Sequence, residues 1–101
     1  MNSDLQEMVV ILRELADKTP AIREFVFEGH PIQVGLLCTK IGYREALVFS
    51  ICDKTGNVLS DEIVKKLSRM FLNPEEEIVE MKGSAPALRR FVQFNEQPPK
   101  N

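Results

Sequence analysis

The sequence predicts an α+β fold, and three observations carry that expectation. An apolar stripe of helical period occupies the first sixteen residues. Two short apolar runs of strand texture follow between residues 31 and 52. A second helical stripe then starts behind a capping serine at Ser60. The expected architecture is an N-terminal helical hairpin and a small antiparallel sheet over about residues 31–60, covered by helices. Residues 1–96 read as a single globular domain, and 97–101 as a disordered tail.

In the first element, Leu5, Met8, Val9, Leu12, Leu15 and Ala16 recur at three- and four-residue steps and share one face. Ser3 and Gln6 have the spacing of a capping box, and Asp4 and Glu7 suit the positive end of the helix dipole. Val10 and Ile11 widen the apolar band, which suggests burial on two sides or a subunit contact. Thr19-Pro20 reads as a second helix start, with Ile22, Phe25 and Val26 at helical spacing and Gly29 as its stop. A strand from Arg23 to Phe27 competes, because Phe25 and Phe27 alternate; the short helix is the favoured reading.

The runs Ile32–Cys38 and Ala46–Cys52 are short, apolar and bounded by turn residues, with Gly42 in the loop between them. The second run is almost continuously apolar, which predicts a central strand covered on both faces. Val58-Leu59 gives at most a short third strand. Ser60-Asp61-Glu62 opens a helix whose buried face is Ile63, Val64, Leu67, Met70 and Phe71. Beyond Asn73-Pro74 two readings stay open: two short helices, or a second hairpin broken at Gly83–Pro86.

Charge and composition exclude several classes. Thirteen basic and fifteen acidic residues leave a net charge of -2, spread evenly along the chain, which is not the footprint of a nucleic-acid binder. Arg89-Arg90 beside Phe91 and Phe94 is the local exception, and Glu75–Glu77 reads as a solvated turn. No apolar run approaches the ~20 residues that span a bilayer, and the start of the chain has no secretory pattern. Cys38 and Cys52 in apolar runs read as buried thiols of a cytoplasmic protein, with a disulfide across adjacent strands as the alternative.

The sharpest motif is Asp53-Lys54-Thr55-Gly56 after an apolar strand. It resembles the phosphorylation motif of P-type ATPases, and that resemblance implies a nucleophilic aspartate with a nearby metal site. Asn57 stands where that family has threonine, however. The 44 residues after it hold no strand ending in paired aspartates to complete the metal site. The same residues spell the turn of an antiparallel hairpin, in which Asp53 accepts from an N–H two residues on and Gly56 takes a positive φ. An EF-hand fails too, because Gly56 and Glu62 fall at the fourth and tenth positions of such a loop.

No catalytic residue, cofactor or metal-ligand set is therefore assigned. The expected function is a non-enzymatic protein-interaction or regulatory domain acting as a homodimer. Met8, Leu12, Met70 and Phe71 are its candidate interface. The alternative is a small-molecule or phosphate-binding domain using the Asp53–Asn57 turn, with Asp53, Thr55, Asn57 and His30 as ligand residues. The arrangement of strand, Asp-x-x-Gly turn and strand beside helices is similar in architecture alone to small sensory and scaffold domains of the PAS and roadblock types.

Overall fold

Residues 2–81 and 87–94 are described by a computed structural model. The element order is α1 (Asn2–Ala16), β1 (Ala21–Phe27), β2 (His30–Ile41), β3 (Arg44–Asp53), α2 (Asp61–Phe71), β4 (Glu77–Met81) and β5 (Leu88–Phe94). The five strands form one antiparallel sheet in the order β1-β2-β3-β5-β4. The fold is α+β. The expected tail at 97–101, the end of the domain at 96 and the break at Gly83–Pro86 lie outside the described residues.

The N-terminal helical hairpin is corrected by β1. The first helix ends where Lys18 and Thr19 donate their amides to the Leu15 carbonyl, at 3.0 and 3.1 Å. Pro20 then leads into a strand instead of a second helix. Ala21, Phe25 and Phe27 turn toward the core and Ile22, Glu24 and Val26 face away, with exposed Arg23 the one break in the core-side row. Glu28 and Gly29, with φ of 49° and 82°, close a two-residue hairpin of the primed type, so Phe27 pairs His30 directly. The glycine that fits a helix stop serves a hairpin here. The helical spacing favoured at Ile22–Val26 is overridden by pairing with β2. Helix α1 also begins at Asn2, one residue before the expected capping serine.

In β3, Leu47, Phe49 and Ile51 point to the core, opposite Cys38, Leu36 and Val34 of β2. It pairs β2 on one side and β5 on the other, the central place the sequence predicts. The expected short strand at Val58-Leu59 is absent. Residues 57–60 run as an extended connection that buries Leu59 and delivers Ser60 to the start of α2. The Ser60 hydroxyl accepts from the Ile63 amide at 3.3 Å, and Asp61 and Glu62 occupy the first turn. In the last third the hairpin alternative holds. Asn73 makes a turn, accepting from the Glu75 amide on its side chain and the Glu76 amide on its carbonyl.

Both helices pack on the same face of the sheet, and all of the expected α2 stripe reaches the core. Phe49 stacks on Phe71 at 5.0 Å between ring centroids and on Phe91 at 6.2 Å, joining β3, α2 and β5. The far strands are pinned by polar bonds that the sequence did not signal. Buried Gln93 donates to the Asn73 carbonyl at 2.5 Å. Arg89 holds Glu80 with two bonds of 2.8 and 2.9 Å and reaches Asp61 at 2.6 Å, tying β4 to the N-terminus of α2.

Phe71 is fully buried against Phe49, so Phe71→Ala is expected to cost about 3–5 kcal/mol, as for other large cavities in packed cores. Met70, only partly buried, should cost clearly less on truncation to alanine. Urea unfolding followed by circular dichroism measures both, and equal losses would contradict the packing described.

Candidate functional site

The polar turn after β3 gathers all four of the ligand residues singled out in the sequence. Asp53 lies at the end of β3 on the core face, with its side chain 2% exposed. Its Oδ1 accepts the Thr55 amide at 2.7 Å and the Thr55 hydroxyl at 2.5 Å. Asn57 donates to that hydroxyl oxygen at 3.0 Å. His30, first residue of β2, places Nδ1 3.6 Å from the other carboxylate oxygen. The Gly56 amide closes the turn on the Asp53 carbonyl at 3.0 Å, with Gly56 at φ 85°.

The chemistry of this cluster is turned inward. The Thr55 hydroxyl and then its amide hold the Asp53 carboxyl below its ordinary value, with a smaller pull from His30, and together they outweigh burial. Lys54, the cation of the motif, pairs with Glu24 at 2.6 Å and is drawn away from the carboxylate. Among the described residues no group of three or more His, Cys, Asp or Glu side chains is placed to hold a metal ion. Asp53 caps a turn, and His30 buttresses it. The bond from the N–H two residues on is the one expected from the sequence, while the hairpin expected after it is not formed.

Of the candidate interface residues two are interior and two half-buried. Leu12 and Phe71 have no exposed surface, and Met8 and Met70 pack against the core cluster. A second copy cannot reach Leu12 or Phe71 without opening the molecule. On α1 it is Val10, Ile11 and Leu15, on the outer side, that stand exposed. The two cysteines are free and lie on opposite faces of the sheet. Cys38 opposes Leu47 toward the core, and Cys52 opposes Gln33 on the far side, so a bridge between them is excluded. Burial pushes both thiols above their ordinary value, with help from Asp17 at Cys38 and Asp53 at Cys52, so neither is an activated nucleophile. Arg89 and Arg90 are likewise split between the two faces, which removes the basic pair read in the sequence.

The larger surface feature is the sheet face away from the helices. Among the described residues no element crosses it. One register row runs straight across all five strands: Ile22, Gly35, Ser50, Arg90 and Met81. The next row is Leu37, Val48, Val92 and Val79. Ile22 is 56% exposed, Val26 73% and Met81 48%. Large side chains at the margins and small ones at the centre leave a hollow of about 410 Å³, lined by Ile22, Gly35, Leu37, Val48, Met81 and Arg90 among others. The signal in the sequence was the nearly continuous apolar run of β3. It was read as a strand covered on both faces; the described helices pack on one, and on the other Ala46 is buried while Val48, Ser50 and Cys52 are half-buried.

The lowered pKa of Asp53 has a pH signature. Its folded value lies below the ordinary 3.8, so the stability it contributes is present above that pH and lost as pH falls through the folded value. Thr55→Val keeps the shape and removes the hydroxyl donor. This variant should be less stable than the parent near neutral pH, with the difference closing in acid. Thermal unfolding from about pH 7 to about pH 2 reads this, and a difference constant with pH would remove the carboxylate from the account.

Comparison with known proteins finds no match: no family model fits the chain, and no curated protein or solved structure matches it.

Proposed function

We propose that the chain is a non-enzymatic protein-interaction domain that uses the sheet face away from the described helices, with a second copy of itself as partner. The observation that supports this reading is the set of large apolar side chains exposed there, Ile22, Val26, Ile41, Val79 and Met81. Soluble monomers expose apolar patches of a few hundred Å² and seldom more, and larger ones mark binding surfaces. Five strands ~4.8 Å apart and some 20 Å long present a face on the order of 450 Å². Two such faces together come near the lower bound of specific interfaces, roughly 1,000–1,200 Å² in total. The association expected is reversible, on the order of micromolar.

The free, protonated thiols fit a reducing, cytoplasmic setting. No helix among the described residues is long and apolar enough to cross a membrane. A phosphate-binding role for the Asp53 turn is the weaker reading, because its carboxylate is spent on Thr55 and its lysine on Glu24.

Sedimentation velocity between about 1 and about 200 µM tests the proposal, with dimer expected to build up across that range. Val26→Asp and Val79→Asp place a charge on the exposed face and should shift the protein to monomer while leaving its circular dichroism unchanged. A strict monomer throughout, or dimerisation indifferent to both variants, would count against this face.

A further inference from the structure

We infer that the hollow on the sheet face away from the described helices is a binding site for a small amphipathic carboxylate, its apolar body lying over Gly35 and its head at Arg90. The geometry begins with the single row Ile22, Gly35, Ser50, Arg90 and Met81. Glycine at position 35 answers to neither backbone nor packing. Its φ is not positive, and an added Cβ would meet nothing closer than the Ala21 carbonyl and Ile22 Cγ1, both at 3.9 Å. A glycine inside a strand weakens it and often marks close approach by another molecule. What the missing side chain creates here is depth, directly between Ile22 and Ser50.

Arg90 supplies the second, independent observation. Its Nε donates to the Ser50 hydroxyl at 3.3 Å, and among the described residues it has no carboxylate partner. Its neighbour Arg89, on the opposite face, is held by two carboxylates. A guanidinium beside apolar walls is complementary to one planar anionic group, which its fork binds with two parallel bonds. The Ser50 contact holds the side chain in the hollow and leaves the terminal nitrogens for the ligand. The hollow, about 410 Å³ and open to solvent, has the size of small-molecule sites. The walls select an aliphatic body, and the single cation selects a single negative charge.

Binding at this site goes beyond the proposed dimer and does not require it. Only one consequence rests on that reading: a ligand seated in the hollow competes with the second copy for the same face. Isothermal titration and amide chemical shifts with decanoate, decan-1-ol and decylammonium test the site in the parent chain and in Val26→Asp, whose substitution lies outside the hollow.

Decanoate is expected to bind saturably, one per chain, shifting the amides of Gly35, Ser50 and Arg90. Decan-1-ol should bind at least about tenfold more weakly, and decylammonium not measurably. Arg90→Gln should reduce decanoate to the affinity of the alcohol and leave the alcohol unchanged. Gly35→Val should abolish binding of both while the melting temperature stays level or rises. Equal affinity for acid and alcohol, survival of binding in Gly35→Val, or no saturable binding at about millimolar decanoate would each overturn the site. Binding to a chain that sediments strictly as monomer would sink the dimer and keep the site. Dimerisation without decanoate binding would do the reverse.

Discussion

Phe49 is the contact on which the rest of the structure depends. It sits in the middle of the central strand, fully buried, and its ring stacks on Phe71 of α2 and Phe91 of β5. Three segments distant along the chain meet at that one side chain. Chain order places α2 and the β4–β5 hairpin after β3, but it does not say where the hairpin docks. With Phe91 against Phe49, β5 lies beside β3 and β4 is left at the edge. The order β1-β2-β3-β5-β4 is therefore a packing result. Burial of large aromatic rings dominates small cores, and here it selects which strand enters the free side of β3.

That arrangement puts both helices on one side and separates two kinds of surface. The covered face carries the aliphatic and aromatic core with Asp53 and Gln93 satisfied within it. On the opposite face Ile22, Val26, Ile41, Val79 and Met81 stand exposed around buried Ala46 and Val92, although an antiparallel sheet with a solvated side ordinarily alternates toward polar residues there. The departure from that rule singles this face out. The small residues Gly35 and Ser50 at its centre give it relief, so shape as well as hydrophobicity distinguishes it.

The Asp53 turn teaches the opposite lesson. A motif of catalytic appearance is occupied by its own backbone: Thr55 takes one carboxylate oxygen, His30 neighbours the other, and Lys54 leaves for Glu24. A carboxylate so engaged stabilises the reversal of the chain between β3 and the approach to α2. Short motifs acquire chemical meaning from what surrounds them, and here the surroundings make a turn.

Local order was legible wherever one periodicity had no competitor. Helix α1 with Leu12 and Ala16 inward, helix α2 with its serine cap, the strand character of β2 and β3, and the Asp53–Thr55 bond all follow from residues within a few positions of one another. Where two periods competed, as at Ile22–Val26 and Glu76–Met81, pairing with β2 or β5 decided. The interface expectation rests on a related ambiguity. Met8, Leu12, Met70 and Phe71 are apolar whether they face a core or a partner, and only the packed molecule tells which. The hollow was out of reach of any reading along the chain, because its five-residue row joins positions from 22 to 90 through four strand registers. The sequence by itself determined the local elements, since short-range hydrogen bonds and periodicity suffice for those. The tertiary structure alone decided which sheet face the helices leave open, since that depends on long-range registers that chain order does not encode.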